Sequence, residues 1–529
     1  MRRTLYIWLL ISLLLSACTR EAETPTVTPE GYNPFLPLGG NATVVPVAGG
    51  TVIAPTLPPT HRNGPTPTLA PFSVQIPPTR LPGVPILSPT PDSPRALPTP
   101  RVDPGQHIVQ SGDTLGTIAQ QYGVSLESLM QANGLADANL LSVGQELTIP
   151  APSPGEQGTD FKIIPNSELV YGPASADFDV NAFIQEQGGY LSTYNEDVNG
   201  EILTGPEIIT RVAQNYSVNP RLLLALLEHQ SGWVTNSSPS SLDYPMGLLD
   251  SWHSGLYLQM TWSANTLNRG YYLWRANAIS TWVLADGAVL PIAPTINAGT
   301  AGVQNFFANL DDTFTWQSDT TAFGLFQTYF FLFGNPFDFA IEPLVPSNLP
   351  QPAMQLPFEP GVIWSFTGGP HGGWDTGSAW AALDFGPPGE AAGCTPSDEW
   401  VVAVADGWIV RTGDGAVMQD LDGDGFEQTG WVVFYMHIES NERIPVNTYA
   451  FTGERIGHPS CEGGFSNGTH VHIARKYNGE WIAADGTNPF QMEGWVSSGN
   501  GIEYDGFLAK GDQSVEAWDG RNELNQIGR

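Results

Sequence analysis

Cationic residues are scarce. The 529-residue chain has 20 lysines and arginines against 53 aspartates and glutamates, a formal net charge of −33. A field of that sign repels phosphate backbones and excludes a nucleic-acid partner. Cysteine is scarcer still. Three are too few for a disulfide scaffold, and an odd number leaves one to explain apart from any pair. No apolar run reaches the ~18 residues of a bilayer-spanning helix. Charged residues make up only 14%, whereas 58 glycines and 46 prolines point to many turns and at least one tract without a core. At roughly 150 residues per domain, the length suggests about three folded units.

The N-terminus has Arg2 and Arg3, an apolar run from Leu5 to Leu15, then Ser16-Ala17-Cys18. Residues 1–17 therefore read as a secretory signal peptide. Leu15-Ser16-Ala17-Cys18 resembles the bacterial lipobox. That resemblance implies a lipid on Cys18 and an exported lipoprotein, anchored to the bacterial membrane and facing the cell wall. Residues 18–104 form a Pro/Thr-rich tether expected to be disordered. Twenty-one of the 46 prolines fall there, in repeats such as Pro65-Thr66-Pro67-Thr68. Such chain stays extended at ~3.1 Å per residue, a reach on the order of 200 Å.

Residues 105–150 read as strand, helix, helix, strand. Leu115, Ile118, Ala119 and Tyr122 recur at helical spacing, Gly123 stops that helix, and Ser125 caps the next. The order, with Gly112-Asp113-Thr114-Leu115, Asn133-Gly134-Leu135 and Ile149-Pro150, resembles a LysM module. The resemblance implies binding of peptidoglycan glycan strands. The groove would lie between Gly112, Asp113 and Thr114 on one loop and Asn133, Gly134 and Leu135 on the other.

Residues 160–345 form a mostly α-helical, tryptophan-rich domain. Pro206 can open one helix, and Asn219 with Pro220 a second. Leu226-Leu227-Glu228-His229-Gln230-Ser231-Gly232 and Met246-Gly247-Leu248-Leu249 resemble, faintly, the lysozyme-like fold of lytic transglycosylases. Gln230 stands where that family has its catalytic glutamate, and an amide cannot act as a general acid. A domain that binds glycan or fills a core is expected before an active glycosidase.

Residues 355–500 hold five of the nine histidines between His371 and His472. Trp400–Val404, Gly407–Val410 and Trp431–Tyr435 read as strands of an antiparallel sheet. In Thr469-His470-Val471-His472-Ile473 the two histidines alternate with Val471 and share one face. Gly368-Gly369-Pro370-His371-Gly372, Ala382-Leu383-Asp384-Phe385-Gly386, Tyr435-Met436-His437-Ile438 and Gly468-Thr469-His470-Val471-His472 resemble the M23 zinc metallopeptidases, in their lysostaphin-like and β-lytic branches. The resemblance implies zinc on His371, Asp384 and His472, with Asp375 the competitor for the acidic position, and His437 and His470 as catalytic partners. Three protein ligands with one open position mark a catalytic zinc. Cys394 and Cys461 both lie within the resemblance, and a disulfide between them is expected, worth roughly 2–4 kcal/mol.

Asp420-Leu421-Asp422-Gly423-Asp424-Gly425 looks like the opening of a calcium loop, but Trp431 occupies the twelfth position, which excludes a complete EF-hand. A Ca2+ site at Asp420, Asp422 and Asp424 and a plain acidic turn remain alternatives. Residues 501–529 are left as a C-terminal tail. The expected whole is a multidomain α+β chain: a wall hydrolase held on peptidoglycan by its LysM module and cutting peptide cross-links or stems. A catalytically silent peptidoglycan binder, or an activator of other hydrolases, is the alternative.

Overall fold

The computed structural model describes residues 89–99, 101–110, 113–389 and 393–529. The signal segment, Cys18, most of the proline-rich stretch and Gly112 lie outside the described residues. Among those described, no helix is long and apolar enough to cross a membrane.

Strand β1 (Gly105–Ile108), helices α1 (Leu115–Tyr122) and α2 (Leu126–Asn133) and strand β2 (Glu146–Ile149) follow the expected order, with β1 and β2 antiparallel. Thr114 caps α1 in a reciprocal box with Thr117, and Ser125 caps α2. Both helices end on left-handed glycines, Gly123 and Gly134. Leu115, Ile118, Leu129, Leu147 and Ile149 form the small core.

The next domain is built on α3 (Val180–Gln187), the hairpin β3 (Asn195–Val198) and β4 (Glu201–Thr204), α4 (Gly205–Tyr216), α5 (Pro220–Ser231) and α6 (Leu256–Arg275). The hairpin β5 (Thr281–Val283) and β6 (Val289–Pro291), then α7 (Ala298–Ala308), α8 (Thr313–Asp319) and α9 (Leu325–Phe333) complete it. Asn219 caps α5 with Pro220 in its first turn, as the sequence suggests. The proline-rich stretch is not wholly a free tether. Near its end Asp92 N–H donates to Thr295 O (2.9 Å) and Arg95 to Trp274 O (2.8 Å).

The C-terminal domain contributes β7 (Ile363–His371), β8 (Ala382–Gly386), β9 (Val401–Val402), β10 (Gly407–Gly413), β11 (Ala416–Asp420), β12 (Trp431–Met436), β13 (Tyr449–Ala450), β14 (Arg455–Gly457) and β15 (Val471–Tyr477). Then come β16 (Glu480–Trp481), β17 (Gln491–Met492), β18 (Trp495–Ser498), β19 (Phe507–Lys510), β20 (Gln513–Glu516) and β21 (Gln526–Gly528). The main antiparallel sheet runs β13-β10-β11-β12-β15-β8-β7-β21, with β16 attached to β15. Strands β17 to β20 make a second, four-stranded sheet, and β9 pairs with β14.

Residues 501–529 are therefore not a tail. They supply β19, β20 and the edge strand β21, which pairs with β7 from Gln526 opposite Ser365 to Gly528 opposite Ile363. Asn525 ties the segment down by donating to the carbonyls of Phe366, Trp518 and Gly520.

Successive side chains on the main sheet point to opposite faces. Leu383, Phe385, Val433, Tyr435, Val471 and Ile473 enter the β domain's own core, whereas Ala382, Val432, Phe434, Met436 and Ala474 join the core of the helical domain. Covering both faces explains why these strands read as unbroken apolar runs. Polar ties cross the same junction. Glu480 accepts from Tyr271 Oη (3.1 Å) and Arg275 (2.7 Å), and Ser217 Oγ donates to Gly479 O (2.6 Å).

Candidate metal centre

Asp384 on β8 stands opposite His472 on β15, and Met436, at the end of β12, stands opposite His472 on the other side. His371 ends β7, where irregularities in the pairing with β8 carry its ring over the same point. His371 Nε2 lies 3.0 Å from His472 Nδ1, and Asp384 Oδ1 lies 3.3 Å from the first nitrogen and 3.2 Å from the second. Ligands about 2.0–2.1 Å from a tetrahedral ion stand roughly 3.3 Å apart, so three corners of such a shell are in place.

The donor set fits a cation. His371 Nδ1 lies 2.8 Å from Gly369 O, and His472 Nε2 lies 3.1 Å from Gly373 O. A carbonyl only accepts, so these contacts put each ring proton on the outer nitrogen and turn the inner lone pairs toward each other. Asp384 Oδ1, a third acceptor, is buried and receives no hydrogen bond. Three converging acceptors without a donor call for positive charge between them. Gly368 makes room for the carboxylate, since a Cβ there would lie 2.7 Å from Asp384 Oδ2.

The charges follow from burial and from each other. His371 is pushed down by burial but ends above its ordinary pKa because the Asp384 carboxylate outweighs that cost. Burial likewise works against ionised Asp384, yet His371 and His470 hold it well below the usual carboxylate range. In His472 burial wins and the pKa falls.

His437 and His470 flank this triad, with ring centroids 4.4 Å apart. His437 has left the strand at φ 62°, and its carbonyl is pinned by Ser460 N–H (2.6 Å) and Ser460 Oγ (3.0 Å). Its Nδ1 lies 3.0 Å from Glu462 O, and His470 Nδ1 lies 2.7 Å from Gly468 O. Both rings therefore keep an Nε2 lone pair for a proton, and His470 Nε2 sits 3.7 Å from Asp384 Oδ2. Burial, reinforced by His470 and His472, holds His437 well below the ordinary imidazole range, in its neutral form.

Asp375 is elsewhere. It is half-buried, with one oxygen on Tyr216 Oη (3.1 Å) and the other on Thr376 N–H (2.6 Å), where it braces the loop after His371 against the helical domain. Cys394 and Cys461 form the disulfide, with Cα atoms 5.6 Å apart. Asp420, Asp422 and Asp424 do gather, but Asp420 accepts from the backbone of Asp422, Gly423 and Gly425, and Asp424 from Phe426 and Thr429. Those bonds account for the turn by themselves, and crowding of burial and like charge pushes Asp422 up to about 8.

On the LysM module, most of the expected groove side chains are committed internally. The Asn133 amide exchanges hydrogen bonds with the Thr148 backbone (2.7 Å each way), and Asp113 accepts from His107 and Gln110. Thr114 is the helix cap. Leu135 is partly buried and packs against the module's core. On the helical domain, Glu228 accepts from the backbone N–H groups of Val234 and Thr235, which makes it a loop brace rather than a free acid.

A cleft of about 550 Å³ opens between the β3–β4 hairpin and the loops bearing Cys394 and Cys461, with Asn199, Tyr257, Trp374, Glu439 and Thr469 among its walls. Sequence reasoning missed the hairpin's share in this wall. It also missed Tyr504, whose ring stacks on His371 at 4.2 Å and 19°. The two-residue turns Glu493-Gly494 and Gly511-Asp512, each flanked by paired residues, were the legible signal that a sheet continues past residue 490.

Comparison with known proteins matches residues 107–150 to the LysM domain and residues 162–346 to the LasA N-terminal domain. The helical region thus matches the latter, where the segments 226–232 and 246–249 resemble, faintly, the lysozyme-like fold. Protease LasA of Pseudomonas aeruginosa is 26% identical over 352 residues, 61% of this chain and 76% of that protein. The N-acetylmuramoyl-L-alanine amidase XlyA of Bacillus subtilis is 43% identical over 51 residues, 10% of this chain and 17% of its own. Among solved structures, the M23 metalloprotease pseudoalterin aligns with 32% of this chain and 97% of its own at 24% identity and a TM-score of 0.27. The catalytic domain of lysostaphin from Staphylococcus simulans aligns with 24% and 89%, at 20% identity and a TM-score of 0.16.

Proposed function

We infer that this chain, a LysM-containing peptidase of the M23 family, hydrolyses peptidoglycan. The finer reading is a zinc metalloendopeptidase that cuts peptide cross-links or stems while the LysM module holds the glycan strand. The observation that carries it is the convergence of His371, Asp384 and His472 on one point, with three acceptor atoms 3.0–3.3 Å apart and Asp384 Oδ1 without a hydrogen-bond donor.

His371 Nε2, His472 Nδ1 and Asp384 Oδ1 would hold the ion. Bound zinc supplies Lewis acidity at the scissile carbonyl and makes a water acidic near neutral pH. The rest falls to this chain's own side chains. Neutral His437, its Nδ1–H fixed on Glu462 O, offers Nε2 to take a proton from the attacking water. The proton that His437 takes can be passed on to the leaving amine, and His470, held the same way on Gly468 O, faces the same space and can steady the developing oxyanion when its Nε2 carries a proton. The carbonyl contacts fix both rings before substrate arrives, so little reorientation is needed during reaction.

Export and a lipid at Cys18 complete the proposal, with the proline-rich stretch carrying the folded part away from the membrane. Dye release from purified peptidoglycan, with and without a chelator, tests the hydrolase. Activity surviving both chelation and His472→Ala would overturn the metal assignment. Mass spectrometry of the released fragments decides whether peptide or glycan bonds are cut, and labelling with a radioactive fatty acid, lost in Cys18→Ala, tests the anchor.

A further inference from the structure

The loop between β18 and β19 does more than connect two strands. Residues 500–506 fold back over the end of β7 as a strap, closed on itself by Asn500 donating to Asp505 Oδ2 (2.7 Å) and Ile502 N–H donating to Asn500 Oδ1 (3.0 Å). The strap meets β7 beside the metal centre in a two-way exchange. Gly369 N–H donates to Tyr504 O (2.8 Å), and Tyr504 N–H donates to Pro370 O (3.2 Å). Glu503 Oε1 receives Gly372 N–H at 3.4 Å. A Cβ on Gly369 would lie 2.5 Å from the Asp505 carbonyl, so this approach needs glycine.

Tyr504 sits at φ 65°, a conformation costly for a bulky aromatic and kept only where surrounding contacts enforce it. Its result is that the phenol ring lies flat on the His371 imidazole, centroids 4.2 Å apart and planes at 19°. The Gly369 carbonyl fixes one edge of that imidazole, and the stacked ring blocks rotation out of plane.

We propose that Tyr504 is a positioning residue for the metal site, acting through His371 by locking the imidazole plane so that Nε2 stays aimed at His472 Nδ1 and Asp384 Oδ1. This rests on the reading of those three residues as a metal centre. The C-terminal strap thereby becomes part of the site, although it contributes no ligand. Outer partners of ligating histidines typically govern 10- to 100-fold in metal affinity.

The test is metal affinity of the full chain, measured for Zn2+ and Co2+ by competition with a chelator of known affinity, alongside the melting temperature of the metal-free protein. Tyr504→Ala is expected to weaken binding about 10-fold or more and to change the Co2+ absorption spectrum, while the metal-free melting temperature moves little. Tyr504→Phe, which keeps the flat face, should bind as the parent does. Where Tyr504→Ala fails to fold, Tyr504→Leu replaces it and is read in the same way. Parent-like affinity in Tyr504→Ala or Tyr504→Leu overturns the proposal, as does a Tyr504→Phe variant that loses affinity. His472→Ala separates the two readings. If the parent binds no ion that His472→Ala loses, the metal centre itself is wrong. If it does, and Tyr504→Ala binds normally, only the role of the strap falls.

Discussion

Asp384 and His472 are direct partners across the antiparallel pair β8 and β15, and their facing atoms Oδ1 and Nδ1 are 3.2 Å apart. Ladder hydrogen bonds on both sides fix that spacing, so two of the three proposed ligands are preset by sheet register. A slip of β8 by one residue would turn Asp384 to the face opposite His472.

This register separates the two candidate acids. Asp384→Ala is expected to abolish stoichiometric zinc binding, read by atomic emission after dialysis. Asp375→Asn should keep its zinc and lose only the quality of its bond to Tyr216, about 1 kcal/mol of stability by denaturant unfolding.

Glu427 is buried between Arg411 (2.7 Å) and Lys476 (3.1 Å), and although burial opposes its charge, those two cations bring its pKa down to about 2. A carboxylate lowered on folding stabilises the native state above its unfolded value near 4.5, and that stability disappears as pH falls toward 2. Up to about 3 kcal/mol should be lost across this window. Unfolding free energies at pH 6, 4 and 3 would show it, and Glu427→Gln should flatten the slope while costing stability at pH 6.

The disulfide joins the loop before β9 to the loop that follows β14, and the next residue, Glu462, supplies the carbonyl that orients His437. The pair Cys394→Ser and Cys461→Ser, made together, should lower stability by roughly 2–4 kcal/mol. Activity should fall further than the folded fraction does, because the proton-accepting ring loses its fixed orientation. A variant with full specific activity would separate the bridge from the site.

On the LysM module, Asn133 is a polar bridge between α2 and β2, whereas Leu135 is a partly buried apolar side chain at the edge of the core. Leu135→Ala is expected to reduce co-sedimentation with insoluble peptidoglycan and leave cleavage of a soluble peptide intact. Asn133→Ala should instead lower the melting temperature of the module.

Much of the site was legible in the chain. The alternation His470-Val471-His472 determined that both histidines share a face, and Val471 indeed enters the β core. Ser125 and Gly123 marked the LysM helices through local capping chemistry. The choice between Asp384 and Asp375 was not local. It depended on which aspartate meets His472 in register, and on Tyr216 of the helical domain reaching the other one.

The sequence by itself determined the order of the LysM, helical and β modules and the residue types at the centre, because each rests on near neighbours along the chain. Only the tertiary structure decided that Phe434, Met436 and Ala474 belong to the helical domain's core, and that residues 501–529 return to edge the main sheet and place Tyr504 on His371. The physical reason is common to both. A strand's apolar face and a polar side chain's partner are chosen by whatever packs against them, and here those partners lie tens to hundreds of residues away.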